Sequence, residues 1–202
     1  MISGGSAQQI TPFLWFWQHY DRAIKADLSS TLLQLDGDAW LVDPTEPTLG
    51  DIAILCPHGR VSGVILTNAN HARAASALTR EIHGNIYTHI AAWPALEAEG
   101  VIDLKEIGQL PANLAVVPID GAPAGEIALH TRADGGTLIV GDALINMGSH
   151  GFTLLPAKYC DNQKKMRLSL RQLLDYPFER IFFAHGEPVT ARAHARLSEL
   201  LA

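Results

Sequence analysis

Apolar positions follow two rhythms along this chain, and the changes of rhythm mark its elements. Residues 10–20, ITPFLWFWQHY, and 29–35, SSTLLQL, have the aromatic and β-branched density of strands, and DGD at 36–38 is turn material before AWLVDP at 39–44. The opening is therefore predicted to be antiparallel. TLGDIAILC at 48–56 then reads as a short helix, VSGVILTN at 61–68 as a near-continuous apolar strand, and HARAASALTREIH at 71–83 as a helix with small and apolar residues at helical spacing. NIYTHI at 85–90 supplies another strand and AAWPALEAEG at 91–100 a short helix. Three further strands are predicted at 113–119, 125–131 and 136–142, the last two joined by ADGG, a hairpin signal. The final third holds a helix over NQKKMRLSLRQLLDY, a strand ERIFFAHG and a closing helix TARAHARLSELL.

Antiparallel strands followed by αβα, and then the same series again, fit two sheets packed face to face with helices outside. No fixed-period repeat or low-complexity segment divides the chain, so residues 1–202 are read as one α/β (α+β) domain. Composition narrows the function. With 48% hydrophobic and 18% charged residues the chain can fill a large interior, and a net charge of −6 without any basic run argues against a nucleic-acid partner. Cys56 and Cys160 are too few for a disulfide framework or a thiolate zinc site. No signal-like start and no long uncharged stretch is present, so a cytoplasmic location without membrane contact is expected.

Four apolar strands end in polar groups: Asp43 after AWLV, the cluster Asn68, Asn70, His71 and Arg73 after VILT, Asp142 after TLIVG, and His185 after IFFA. In layered folds such strand ends converge on one cleft. With these residues in place the chain resembles the metallo-β-lactamase superfamily over nearly its whole length. LVDP matches that family's early aspartate strand, GDAL at 141–144 its Gly-Asp element, FFAHGEPV at 182–189 its last-histidine element, and DGAPAGEIAL at 120–129 the segment of its Gly-His-Thr-x-Gly element. The resemblance implies a four-layered αββα sandwich. It also implies that the metal ligands are mostly gone. Against the family's Thr-His-x-His-x-Asp-His motif, Thr67 is kept, while Asn68 and Asn70 replace the histidines, Ala72 the aspartate, Arg73 the final histidine, and Ala122 the histidine of the next element. Asp142 and His185 remain.

A neutral amide is a poor metal ligand, alanine is none, and a guanidinium cannot give up its proton to bind a cation. No cofactor is therefore expected of the usual two-metal kind. Two consequences are predicted. Arg73 takes the lost cation's place and pairs with Asp142, and Asn68 or Asn70 caps the following helix, worth about 1 kcal/mol. The function these substitutions favour is a non-hydrolytic relative that binds a small molecule or a protein through the old cleft. The alternative is a hydrolase of ester, thioester, lactone or phosphodiester type with a rebuilt single-metal site, one Zn, Fe or Mn ion on His71, Asp142 and His185. Asp43, His71 and His185 are the candidate bases, with Asp142 and His185 as the surviving catalytic-type pair. The pocket is expected to comprise Asp43, Asn68, Asn70, Arg73, Asp142, His185 and, at the end of NIYTH, His89.

The remaining signals have plainer readings. His58, His83, His130, His150 and His194 are expected on loops or element surfaces, and His19 lies in a half-buried aromatic strand where an exposed Trp15 or Trp17 would mark a partner surface. In LLPAKYCDNQ, Lys158 is expected to be solvated, Tyr159 to pack with its hydroxyl free, and Asp161 to cap the next helix.

Overall fold

The computed structural model describes residues 7–45, 60–96, 100–104, 110–111, 113–148 and 151–202. The first sheet has seven strands in chain order. They are β1 (Gln8–Thr11), β2 (Leu14–Asp21), β3 (Ala26–Leu35), β4 (Asp38–Val42), β5 (Arg60–Ile65) and, after helix α1 (Ala75–Ile82), β6 (Asn85–Thr88) and β7 (Val101–Asp103). Strands β1 to β4 pair antiparallel and β4 to β7 parallel. The chain continues through β8 (Leu114–Pro118), β9 (Ile127–Thr131), β10 (Thr137–Val140), a small hairpin of β11 (Leu144–Met147) and β12 (Gly151–Leu154), α2 (Gln163–Leu170), β13 (Arg180–Phe183) and α3 (Ala193–Leu201). The second sheet is ordered β13-β10-β9-β8, with β10 and β13 parallel.

Side-chain parity builds the layers. In β4, Trp40 and Val42 point to the space between the sheets while Ala39 and Leu41 pack with Ala75 and Leu78 near α1. Its parallel neighbours obey the same alternation: Ile65 and Tyr87 face inward, Val64, Leu66 and Ile86 outward. In the second sheet Ile127, Leu129, Ile139 and Phe182 meet the first sheet, whereas Ala128, Leu138, Val140, Ile181 and Phe183 pack under Met166 and Leu170 of α2 and Leu197 and Leu201 of α3. Both faces of each sheet are thus covered, which is why these strands read as unbroken apolar runs. The expected αββα order is the one observed.

Differences from the expected elements have local causes. The segment predicted as one strand over 10–20 is two, because Pro12 offers no N–H to a ladder and the chain turns there, setting Gln8 opposite Phe16. Trp17 is buried, its Nε1 donating to Thr45 Oγ1 at 3.0 Å, while Trp15 and His19 are half-buried and Tyr20 is exposed, so the strand is half-buried as expected. Helix α2 is capped by Asn162, which accepts from the Lys165 N–H at 3.0 Å, and not by Asp161. His130 is a buried β9 residue whose Nε2 donates to the Pro177 carbonyl at 2.8 Å, not a surface histidine. A 3₁₀ stretch, Ile90–Ala95, occupies part of the helix expected at 91–100. The helix expected at 48–56, with Cys56, and the residues His58 and His150 lie outside the described residues.

Strands β4 and β5 run parallel, as do β10 and β13, so within each sheet their carboxyl ends lie on a common edge. The two sheets are tied at that edge by main-chain hydrogen bonds, from Ser29 N to Ala184 O at 2.8 Å and from Ile127 N to Thr67 O at 2.8 Å. Gly186, with φ +90, makes the turn that follows His185, and a Cβ there would overlap the Asn146 carbonyl. Gly186→Ala is therefore expected to cost about 2–4 kcal/mol, combining left-handed backbone strain with overpacking, read as a lower urea midpoint at unchanged slope.

Candidate metal-type centre

The site begins with Asp43, the residue after β4, held with φ +48. Its Oδ1 accepts from the Thr67 N–H at 2.8 Å and its Oδ2 from the Thr67 hydroxyl at 2.5 Å. Thr67 lies just beyond β5, so two parallel strand ends are joined by one carboxylate. The chain then makes a 3₁₀ turn, Ala69–His71, capped by Asn68, whose Oδ1 accepts from the Asn70 N–H at 2.8 Å. That cap fixes which way His71 faces. Helix α1 itself begins after Ala74 with no side-chain cap, so the expected cap serves the short turn rather than the helix.

His71, 1% exposed, hangs between two acids from different sheets. Its Nδ1 lies 3.1 Å from Asp43 Oδ2 and 2.8 Å from Thr67 Oγ1, and its Nε2 lies 3.1 Å from Asp142 Oδ1. His185, after β13, donates from Nδ1 to the Asp27 carbonyl at 3.2 Å and places Nε2 3.3 Å from the same Asp142 oxygen. The other oxygen of Asp142 accepts from the side-chain amides of Asn68 and Asn70, each at 3.1 Å. His71, Asp142 and His185 thus present three donor atoms within 4.8 Å of one another.

Glu126, the residue before β9, is a member of this cluster that no sequence motif flagged. It is 3% exposed, accepts from the Ala143 N–H at 2.9 Å and takes an Asn68 amide hydrogen at 2.6 Å. Its one sequence signal is an acid opening an otherwise apolar strand, GEIAL. Asn68 therefore bridges two buried carboxyl groups. Gly141, before Asp142, leaves the necessary room, since a Cβ there would stand 2.5 Å from Thr67 Oγ1 and 2.8 Å from both Glu126 oxygens.

Arg73 does not pair with Asp142 as the sequence leads one to expect. Its guanidinium donates to the carbonyls of Ser29 at 2.7 Å, Asp43 at 2.9 Å and Ala184 at 3.1 Å. These acceptors come from β3, the end of β4 and the end of β13, so the charge is spent on tying strands together, and it is His71 and His185, not Arg73, that face Asp142. His89 is half-buried and its Nδ1 accepts from the Ala91 N–H at 3.2 Å, a cap on its own turn rather than a contact with the three-residue group. Lys158 lies 4.6 Å above the ring of the exposed Tyr159.

Charge in the cluster is set by burial against neighbours. Burial disfavours the protonated His71 ring, but Asp43 and Asp142 on either side outweigh it and lift the pKa from 6.5 to about 9. Burial likewise opposes ionisation of both aspartates. His71 prevails at each, helped by Arg73 and Thr67 at Asp43 and by His185 at Asp142, and holds both carboxyls below their usual range. At Glu126 burial, joined by the Asp142 charge, wins over the hydrogen bonds it accepts, and its pKa rises from 4.5 to about 8.

An αββα sandwich with a His–Asp–His group at the carboxyl ends of its strands is the arrangement to set beside known proteins. The sequence model described as "Metallo-beta-lactamase superfamily" matches residues 8–202, and the chain belongs to that family. Solved structures agree on the fold. The DIM-1 metallo-β-lactamase superposes with a TM-score of 0.75 at 12% identity, covering 98% of each chain. A metallo-β-lactamase from Pontibacter korlensis gives 0.72 at 14% identity, covering 96% of this chain and 97% of that one. One from Erythrobacter litoralis, with β-mercaptoethanol in its active site, gives 0.74 at 17% identity, covering 98% and 96%. No curated protein matches this chain in sequence.

Two measurements check the cluster's energetics. Arg73→Met leaves three carbonyls and a buried aspartate without their cation and is expected to cost about 3 kcal/mol or more in urea unfolding. The pH dependence has a definite sign in chelator-treated protein. Glu126 and His71 bind protons more tightly folded than unfolded. The contribution of Glu126 is complete below 4.5 and lost as pH rises to about 8, and that of His71 is complete below 6.5 and lost as pH rises through about 9. Burial lowers the pKa of His130, whose contribution therefore grows with pH until about 6.5; above that pH stability should fall up to about pH 9.5, and Glu126→Gln should flatten the part of that slope below about pH 8.

Proposed function

We propose that the cleft holds a single divalent transition-metal ion on His71 Nε2, Asp142 Oδ1 and His185 Nε2, and that the protein is a single-metal hydrolase acting on an ester, thioester, lactone or phosphodiester bond. The observation that carries this is the orientation of the donors. Each histidine has its Nδ1 engaged by an oxygen acceptor, Asp43 with Thr67 for His71 and the Asp27 carbonyl for His185, so that both Nε2 atoms turn to one oxygen of Asp142. Metal-binding histidines are oriented in just this way, with the second ring nitrogen hydrogen-bonded to a carboxylate or carbonyl. Two histidines and one carboxylate suit zinc, iron or manganese.

A second metal of the family's usual kind does not fit. Asn68 and Asn70 turn amide hydrogens, not oxygens, toward Asp142; Ala122 has no donor; Arg73 is cationic and bound to carbonyls. When bound, one ion with three protein donors keeps open positions, polarises a carbonyl or phosphoryl oxygen and acidifies water. The chain's own residues supply the rest. Asp43 and Thr67 keep the His71 ring from turning, and Asn68 and the exposed Asn70 fix the Asp142 carboxylate.

A second reading is favoured by the His71 bridge itself. An imidazolium between Asp43 and Asp142 satisfies both acids without an ion, which suits a non-hydrolytic relative that binds a small molecule or protein. Metal analysis of untagged protein, with turnover of the four bond classes, separates the two. The hydrolase reading expects one ion per chain, loss of ion and turnover in Asp142→Ala, and about 10–100-fold weaker metal binding in Asp43→Asn, which removes the carboxylate that orients His71 and accepts from Thr67 but none of the three donor atoms; a thermal melt checks that the variant is folded. Ion-free protein that turns over none of these substrates would favour the binding role instead.

A further inference from the structure

We infer that Asn68 and Asn70 form an amide clamp that dedicates Asp142 to one ion and so sets the number of metals the site accepts; this rests on the single-ion reading above. A carboxylate oxygen has two in-plane lone pairs. On Asp142 Oδ2 both are met by amide hydrogens, from Asn68 and Asn70 at 3.1 Å each, while Oδ1 alone faces the histidine nitrogens. A carboxylate held this way can serve one ion through Oδ1 but has no oxygen left to share with another.

The clamp cannot swivel freely. The Oδ1 of Asn68 is fixed by the Asn70 N–H at 2.8 Å, which forces its amide nitrogen toward the acids. Of that nitrogen's two hydrogens, one goes to Asp142 and the other to Glu126 at 2.6 Å. Glu126 is in turn anchored on the Ala143 N–H at 2.9 Å, next in sequence to Asp142. Ala143, Glu126, Asn68 and Asp142 are therefore linked in one chain of hydrogen bonds, and turning the amide over would set an oxygen against the Asp142 carboxylate and an NH2 group against the Asn70 N–H. Glu126 acts here as a positioning residue, through Asn68.

The test is cobalt(II) titration of the chelator-treated full chain, read as bound cobalt per chain and as visible absorption of the bound ion, for wild type, Asn70→Asp and Asn68→Asp/Asn70→Asp. Asn70 is exposed and caps nothing with its own side chain, so its variant should keep the fold even where the double variant does not, and a thermal melt verifies this. One cobalt in the wild type rising to two in Asn70→Asp is the expected result, because a donor of hydrogen becomes an oxygen ligand and Asp142 Oδ2 regains a free lone pair. A wild type that takes two, or a folded Asn70→Asp that stays at one, overturns the clamp while leaving metal binding intact. A wild type that takes none overturns the single-ion reading and the clamp with it.

Discussion

Two carboxylates buried on opposite sheets cannot both be charged unless something cationic stands between them, and the rest of this site follows from how that is arranged. Asp43 ends a strand of the first sheet, Asp142 one of the second, and the His71 ring spans them at 3.1 Å on either side. An unpaired buried carboxylate costs several kcal/mol even after relaxation. The segment after β5 must therefore deliver a ring to that gap, and its short capped turn is the local device that does so. The spacing of the sheets at this edge and the charge state of the site are one constraint. Sliding either strand would break the bridge and strand an acid in the interior.

Arg73 completes the arrangement in a different way from a metal. Its three carbonyl partners belong to β3, the end of β4 and the end of β13. Both it and Asp43 adopt positive φ, +34 and +48, backbone strain of roughly 1–3 kcal/mol each that packing around the site must offset. The guanidinium cannot lose its proton, so it supplies permanent charge near Asp43 while leaving the donor atoms of His71, Asp142 and His185 free to face one another.

The fold was legible in the sequence because its signals are repetitive. Every central strand alternates between two covered faces, and an apolar run such as VILT or IFFA needs no partner to announce itself. What stayed hidden was short or depended on one residue. β7, β11 and β12 are three or four residues each and are only partly apolar or partly buried, and the break at Pro12 was swallowed by the aromatic run around it. Which of Trp15 and Trp17 is covered stayed open because strand parity fixes a face without saying which face is buried.

The site was half legible, for a reason that lies in geometry. Asp142 and His185 stand at recognisable strand ends. His71 occupies a position that the family's motif leaves variable, so nothing in the spacing says that its ring turns inward; the Asn68 cap and the Asp43 hydrogen bond decide it. Arg73 was misread because charge complementarity to Asp142 is visible in sequence, while three main-chain carbonyls brought together from β3 and the ends of β4 and β13 are not. Glu126 carries no motif at all, and its importance comes from Asn68, which has meaning only once both acids are in place. Relatives at 12–17% identity share the sandwich, yet a sandwich does not carry its ligands with it. Asn68 and Asn70 present amide hydrogens, not lone pairs, to Asp142. The chemistry open to this protein therefore follows from those hydrogens and the His71 ring, not from the architecture that presents them.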